Sequence, residues 1–176
     1  KRQLNNLKFI TGVLVFVKKL KNVLKNDKHV GVLLPSSAVG AMVNMALFVM
    51  GKVPVNLNYT LSQESMQKAL AKANISHIIT SEKFLNKLKD KGFDFAEVLG
   101  DKAIFAENLA KMTARSTKIS ALLTALLMPA SLMKLCYFAD TTLNDTATIL
   151  FSSGSEGDPK GIELSHKNLL TNIKQV

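Results

Sequence analysis

Between Phe151 and Gly161 the chain reads Phe-Ser-Ser-Gly-Ser-Glu-Gly-Asp-Pro-Lys-Gly. Ser152 to Gly161 hold three glycines and three serines in ten residues, a loop dense in backbone N–H and hydroxyl donors. Glycine lets the backbone come close to a ligand and hydroxyls add donors, so such a loop can wrap phosphate oxygens. Lys160 sets a positive charge beside it. On residue types alone, an ordinary polar hairpin loop is the alternative. Three related patterns are excluded. The nucleotide-binding G-x-x-x-x-G-K-[ST] fails because Pro159 stands five after Gly154 and Gly161 follows Lys160. The spacing of G-x-G-x-x-G is not met either. The hydrolase elbow G-x-S-x-G around Ser155 has Ser153 in place of its first glycine.

The elements around the loop have their own signatures. Thr146–Phe151 is a β-type run, a strand resumes at Ile162–Leu164, and Ser165 can cap a helix from His166. Upstream, His29–Leu34 reads as a buried strand stopped by Pro35, and Ser36 or Ser37 can cap a helix over 38–50 that Gly51 ends. Val53–Leu57 is a second strand. Ser62 can cap a helix whose stripe is Met66, Ala69, Leu70 and Ala73, with Glu64 in its first turn. Ile75–Thr80 is a third strand, and Ser81 opens a helix bearing Phe84, Leu85 and Leu88. This alternation predicts an α/β fold, a layered parallel sheet with flanking helices. The stretch 92–118 is less regular. Residues 119–133 carry no charge and contain Pro129. A buried helix is expected there, with a hydrophobic flap meeting lipid or an acyl chain as the alternative.

Composition bounds the rest. In 176 residues, 47% hydrophobic and 20% charged, there is material for one real core. Cys136 is the one cysteine, and His29, His77 and His166 lack metal-ligand spacing, so no disulfide framework or Cys-based metal cluster is expected. The net charge is +10, and residues 1–29 alone hold eight basic side chains against Asp27. Apolar residues at helical spacing over 3–26 make this a basic amphipathic helix. Packing its stripe on a core is the favoured reading; lying on an anionic membrane surface is the other. Nucleic acid is not expected as a partner, since aromatics are 6% and do not alternate with basic residues. Val30–Gly51 is uncharged for 22 residues, but Pro35 splits it into pieces too short to span a bilayer. No secretory leader is laid out, and the Lys-Arg start suggests an internal cut.

Residues 151–161 resemble the phosphate-binding signature of the adenylate-forming (ANL) superfamily, roughly [YFT]-[ST]-S-G-[ST]-[TSE]-G-x-P-K-G. Phe151, Ser153, Gly154, Ser155, Gly157, Pro159, Lys160 and Gly161 match, and Leu164-Ser165-His166-Lys167-Asn168-Leu169 is similar to the family's continuation. The resemblance implies that residues 1–176 are the N-terminal portion of an AMP-binding domain, cut at both ends, with 151–161 as its phosphate loop. It implies ATP and Mg²⁺ as cofactors and Ser152, Ser153, Gly154, Ser155, Glu156, Gly157 and Lys160 as ATP-phosphate residues. Ser153 and Ser155 would be the direct donors. Glu156 stands where most members have Thr and could face Mg²⁺. With Glu156, the Asn58-Tyr59-Thr60 run and Leu127-Met128-Pro129, the chain looks most like the acyl-acyl-carrier-protein synthetase part of the bacterial 2-acylglycerophosphoethanolamine acyltransferases. The implied parent activates a fatty acid, passes it to acyl carrier protein, serves lysophospholipid reacylation and sits at the cytoplasmic face of the inner membrane. A long-chain acyl-CoA synthetase is the alternative parent, and a non-catalytic membrane-binding module the alternative from another class. The family's adenine platform, ribose aspartate and catalytic lysine lie beyond the signature, and no H-x-x-x-x-D is present. The 176 residues alone are therefore expected to be soluble and inactive, with apolar surface that favours self-association.

Overall fold

The structure, a computed structural model, describes residues 4–152 and 158–175. Asn5 caps the first helix, α1 (Asn6–Val23), by accepting from Lys8 N–H, and the helix buries Val13, Leu14, Val17 and Leu20. Strand β1 (His29–Leu33), helix α2 (Ala38–Val49), strand β2 (Val53–Asn56), helix α3 (Gln63–Lys72), strand β3 (Ile78–Thr80) and helix α4 (Glu82–Lys89) follow. Ser37, Ser62 and Ser81 each accept a backbone N–H as the caps of α2, α3 and α4. The expected alternation is thus present, although β3 is half as long as the run from Ile75 suggests.

Among the described residues six strands form one sheet in the order β4-β3-β1-β2-β5-β6. Here β4 is Ala103–Phe105, β5 Thr146–Ser152 and β6 Lys160–Ser165. All neighbours are parallel except β5 and β6, which are antiparallel. Strand pleating sends alternate residues to opposite faces. Val30, Val32 and Ile79 pack with Leu20, Leu24, Val43 and Leu47 beneath α1 and α2. Leu33, Val55, Ile78, Ile149 and Phe151 pack with Met66, Leu70, Leu88, Phe95 and Leu99 on the other face. Asp27, the one acid of the basic N-terminal run, lies 3.1 Å from Nδ1 of His77 and ties the end of α1 to the start of β3. From Val13 onward this stripe is buried, which makes α1 a packing element, while Leu4 and Ile10 nearer its start are exposed.

Gly51 ends α2 with φ +67°, and a Cβ built there would lie 2.6 Å from that of Ala139. Gly51→Ala is therefore expected to cost about 1–3 kcal/mol for the left-handed backbone alone. A fall of several degrees in Tm on a thermal melt checks this, and an unchanged Tm would contradict it.

Two segments depart from expectation. The irregular stretch contains α5 (Ala96–Leu99), a 3₁₀ turn, the edge strand β4 and α6 (Ala106–Lys111). Residues 119–133 are not one buried helix. They belong to α7 (Arg115–Leu127) and α8 (Ala130–Tyr137), broken at Met128-Pro129. Of their apolar side chains only Ala121 is buried, while Ile119, Leu122, Leu123, Leu126, Leu127, Leu132 and Leu135 are exposed. The apolar run is long enough for burial, but α7 packs on α1 outside the α1–α2 layer, and none of the described residues buries its outer side.

Candidate phosphate-binding hairpin

The loop singled out by its residue types connects β5 to β6. The two strands run antiparallel with Phe151 opposite Gly161 and Ser152 opposite Lys160. Ser152 and Lys160 therefore stand as a facing pair at the loop's base, both exposed. Ser153, Gly154, Ser155, Glu156 and Gly157 lie outside the described residues.

Phe151 is the floor of this hairpin. It is buried among Ile149, Val55, Met66 and Leu70. A Cβ on Gly161 would come within 3.3 Å of the Phe151 ring, so the glycine lets the β6 backbone lie close over it. Beneath β5 runs a short polar chain. Thr148 donates its hydroxyl to Pro54 O at 2.7 Å, Asn56 donates to Asn44 Oδ1 at 3.0 Å, and Asn44 donates to Gly40 O at 2.9 Å. These bonds fix β5 against β2 and α2 while satisfying groups that burial would otherwise penalise.

The loop's second limb is held by α3. Lys72 Nζ donates to Asp158 Oδ2 at 2.6 Å and to Pro159 O at 3.2 Å. The Lys72 hydrogen bond, helped by the charges of Lys72, Lys68 and Lys160, holds the Asp158 carboxyl below its ordinary range. A lowered carboxylate pKa means stability that is present above the unfolded value of about 3.9 and is lost as pH falls through the lowered one. Asp158→Asn is expected to lower Tm slightly at neutral pH and to converge with the unaltered protein in acid. Melts at stepped pH check this; a constant gap would contradict it.

Beyond β6 the next helix, α9 (His166–Lys174), starts with a full capping box. Asn168 N–H donates to Ser165 Oγ at 3.2 Å, and Ser165 N–H donates to Asn168 Oδ1 at 2.9 Å. The His166 ring meets Phe48 edge-on at 5.7 Å, and His166 N–H donates to Asp145 O at 3.1 Å. The segment after the loop is thereby pinned to α2 and to the turn before β5. Of the site residues named from sequence, the structure places Ser152 and Lys160 together. It adds Lys72, Asp158 and Thr148, which sequence reasoning missed. Lys72 reads only as a surface lysine at the end of α3, and nothing in the pattern links it to a partner 86 residues away.

The match to known proteins extends over the same elements. The model of the family described as "AMP-binding enzyme" matches residues 18–176. The chain belongs to this family. It is 27% identical over 144 residues to 4-coumarate–CoA ligase 3 of Arabidopsis thaliana, covering 82% of the chain and 24% of that protein. Over 33 residues, 19% of the chain and 4% of the relative, it is 52% identical to a chloroplastic long-chain-fatty-acid–[acyl-carrier-protein] ligase of the same plant. Among solved structures, o-succinylbenzoate CoA synthetase of Bacillus subtilis in complex with ATP and magnesium ion superposes with a TM-score of 0.70 at 17% identity. That alignment covers 99% of this chain and 40% of the other, and it shows a shared fold. The chain thus spans about a quarter of the first of these relatives. The mixed sheet with flanking helices is the one found in adenylate-forming enzymes.

Proposed function

We propose that this chain is part of the adenylating domain of an ATP-dependent carboxylate ligase whose loop 151–161 holds the β- and γ-phosphates of ATP. The observation that carries this reading is the signature of glycines and hydroxyls in sequence between two paired strands, with Ser152 opposite Lys160 at its base. In such a reaction a substrate carboxylate attacks the α-phosphate, forming an acyl-adenylate and releasing pyrophosphate. A thiol then displaces AMP to give a thioester. Both steps need in-line positioning and neutralised phosphate charge. Ser153 and Ser155 supply hydroxyl donors, Gly154 and Gly157 supply approachable N–H groups, and Lys160 supplies charge.

Carboxylates near the hairpin are few. Asp158 is engaged by Lys72, and Glu163 accepts from the Thr146 hydroxyl at 2.9 Å. Among the described residues no three His, Cys, Asp or Glu side chains converge on a metal position. Within this chain Glu156 is the candidate ligand for a Mg²⁺ accompanying ATP, whose other oxygens would include those of the phosphates. It would neutralise charge on the triphosphate.

The substrate class we infer is a fatty acid and the acceptor the thiol of acyl carrier protein, supported by the short stretch shared with an acyl-carrier-protein ligase. Delivery to a lysophospholipid extends this reading through the resemblance at Glu156 and Asn58–Thr60. Coenzyme A is the second acceptor to consider, because 4-coumarate–CoA ligase aligns over more of the chain. Thioester formation by the complete polypeptide carrying these residues, with each thiol offered alone, decides between them. Acyl carrier protein is expected to be preferred, and a clear preference for coenzyme A would overturn that assignment. The 176 residues alone are expected to bind ATP weakly, since the loop holds only phosphates. Micromolar affinity by calorimetry would contradict this.

A further inference from the structure

The outward face of α7 and α8 has no role in the hairpin and lies in a layer of its own beyond α1. On α7 the residues Ile119, Leu122, Leu123, Leu126 and Leu127 recur at helical spacing on one side, while Ala121 on the opposite side is buried. A surface helix normally turns its apolar stripe to the core; this one shows it to the exterior, with Leu126 61% and Leu127 71% exposed. On α8, Leu132 and Leu135 are exposed as well, Leu135 to 80%.

The charges carried along α7 and α8 themselves have one sign. Residues 108–139 contain Lys111, Arg115, Lys118 and Lys134 and no acid. An apolar groove of about 440 Å³ runs between α1 and α7, floored by Val15, Phe16 and Leu122 and rimmed by Lys8, Lys19 and Lys118. Two lysines of α1 also brace the layer: Lys18 donates to Ser120 Oγ at 2.8 Å and Lys19 to Met112 O at 3.0 Å. Exposed leucines accompanied by basic residues match the boundary of a bilayer bearing anionic lipid, where apolar side chains enter the acyl region and lysines meet phosphates. Among the described residues no helix is long and apolar enough to cross a membrane. The arrangement therefore suits lying on the surface.

We propose that the α7–α8 face, with the lysine-rimmed groove beside it, docks this protein on an anionic phospholipid bilayer. The surface that sequence reasoning sought on α1 is thus placed on the helices packed over it, and it is independent of the phosphate loop. The test is flotation of the 176-residue chain with phosphatidylcholine vesicles, with and without phosphatidylglycerol. Binding is expected only with phosphatidylglycerol and should weaken as salt rises. Leu123→Asp/Leu126→Asp should lower it by about tenfold or more, given the apolar area each leucine inserts. Ile173→Asp, an exposed apolar site on α9, should leave it unchanged. A fluorophore on Cys136, exposed in α8, reads insertion without altering the face, and its emission should shift to the blue with the anionic vesicles. Absence of flotation, flotation unaffected by the paired aspartates, or an unmoved emission would overturn the proposal. So would a dimer that the paired aspartates dissociate in the absence of vesicle binding, which would assign the face to a second copy.

Discussion

Replacing Ser153 and Ser155 together with alanine is expected to lower acid-dependent ATP–pyrophosphate exchange by about 10²–10³-fold, the usual loss when a preorganised donor to developing phosphate charge is removed. The measurement belongs to the complete polypeptide that carries this chain. The effect is expected in kcat as well as KM, because the leaving pyrophosphate gains charge as the acyl-adenylate forms. Stability should hardly move, since both are small polar residues in a run of glycines and serines. Alanines that leave exchange at its original rate would remove the loop from the reaction and return it to the status of a polar hairpin turn.

Phe151→Ala should carry the largest cost in stability of any change in the hairpin. The ring is 8% exposed and packs with Ile149, Val55, Met66 and Leu70 on one face of the sheet. Emptying that volume is expected to cost about 3–5 kcal/mol. For a chain of this size the corresponding fall in Tm is about 6–20 °C. Because Gly161 lies against the same ring, the base formed by Ser152 and Lys160 loses its support, so exchange should fall even below the melting transition. Urea unfolding gives the stability term separately. A midpoint equal to that of the unaltered chain would mean that the ring is not the floor of the loop.

Much of the fold was legible because its units are short and strongly marked. Ser37, Ser62 and Ser81 sit where apolar strands give way to helical spacing, and each is a cap in the structure. Gly51 announced the end of α2 through the left-handed backbone it adopts. Strand β4 was not legible, since three partly buried residues leave no alternation to read. The α7–α8 segment shows a different limit. A run without charge satisfies a buried helix and an exposed lipid-facing helix equally, and only the position of α7 outside α1 separates them. In the site, glycines and serines at close spacing declared the loop, and Ser165 declared the helix after it. The Lys72–Asp158 contact could not be read, because tertiary pairing across the sheet leaves no periodic trace in either segment.

Loop 151–161 is proposed to hold the triphosphate while a carboxylate attacks its α-phosphorus. Phosphorus NMR of the products formed by the complete polypeptide from ATP, Mg²⁺, a fatty acid and a thiol acceptor tests it most directly. AMP and pyrophosphate are expected in equal amounts, with exchange of labelled pyrophosphate into ATP only when the fatty acid is present. ADP and inorganic phosphate would contradict the account, because attack at the γ-phosphorus is a different reaction from the one this hairpin is proposed to serve.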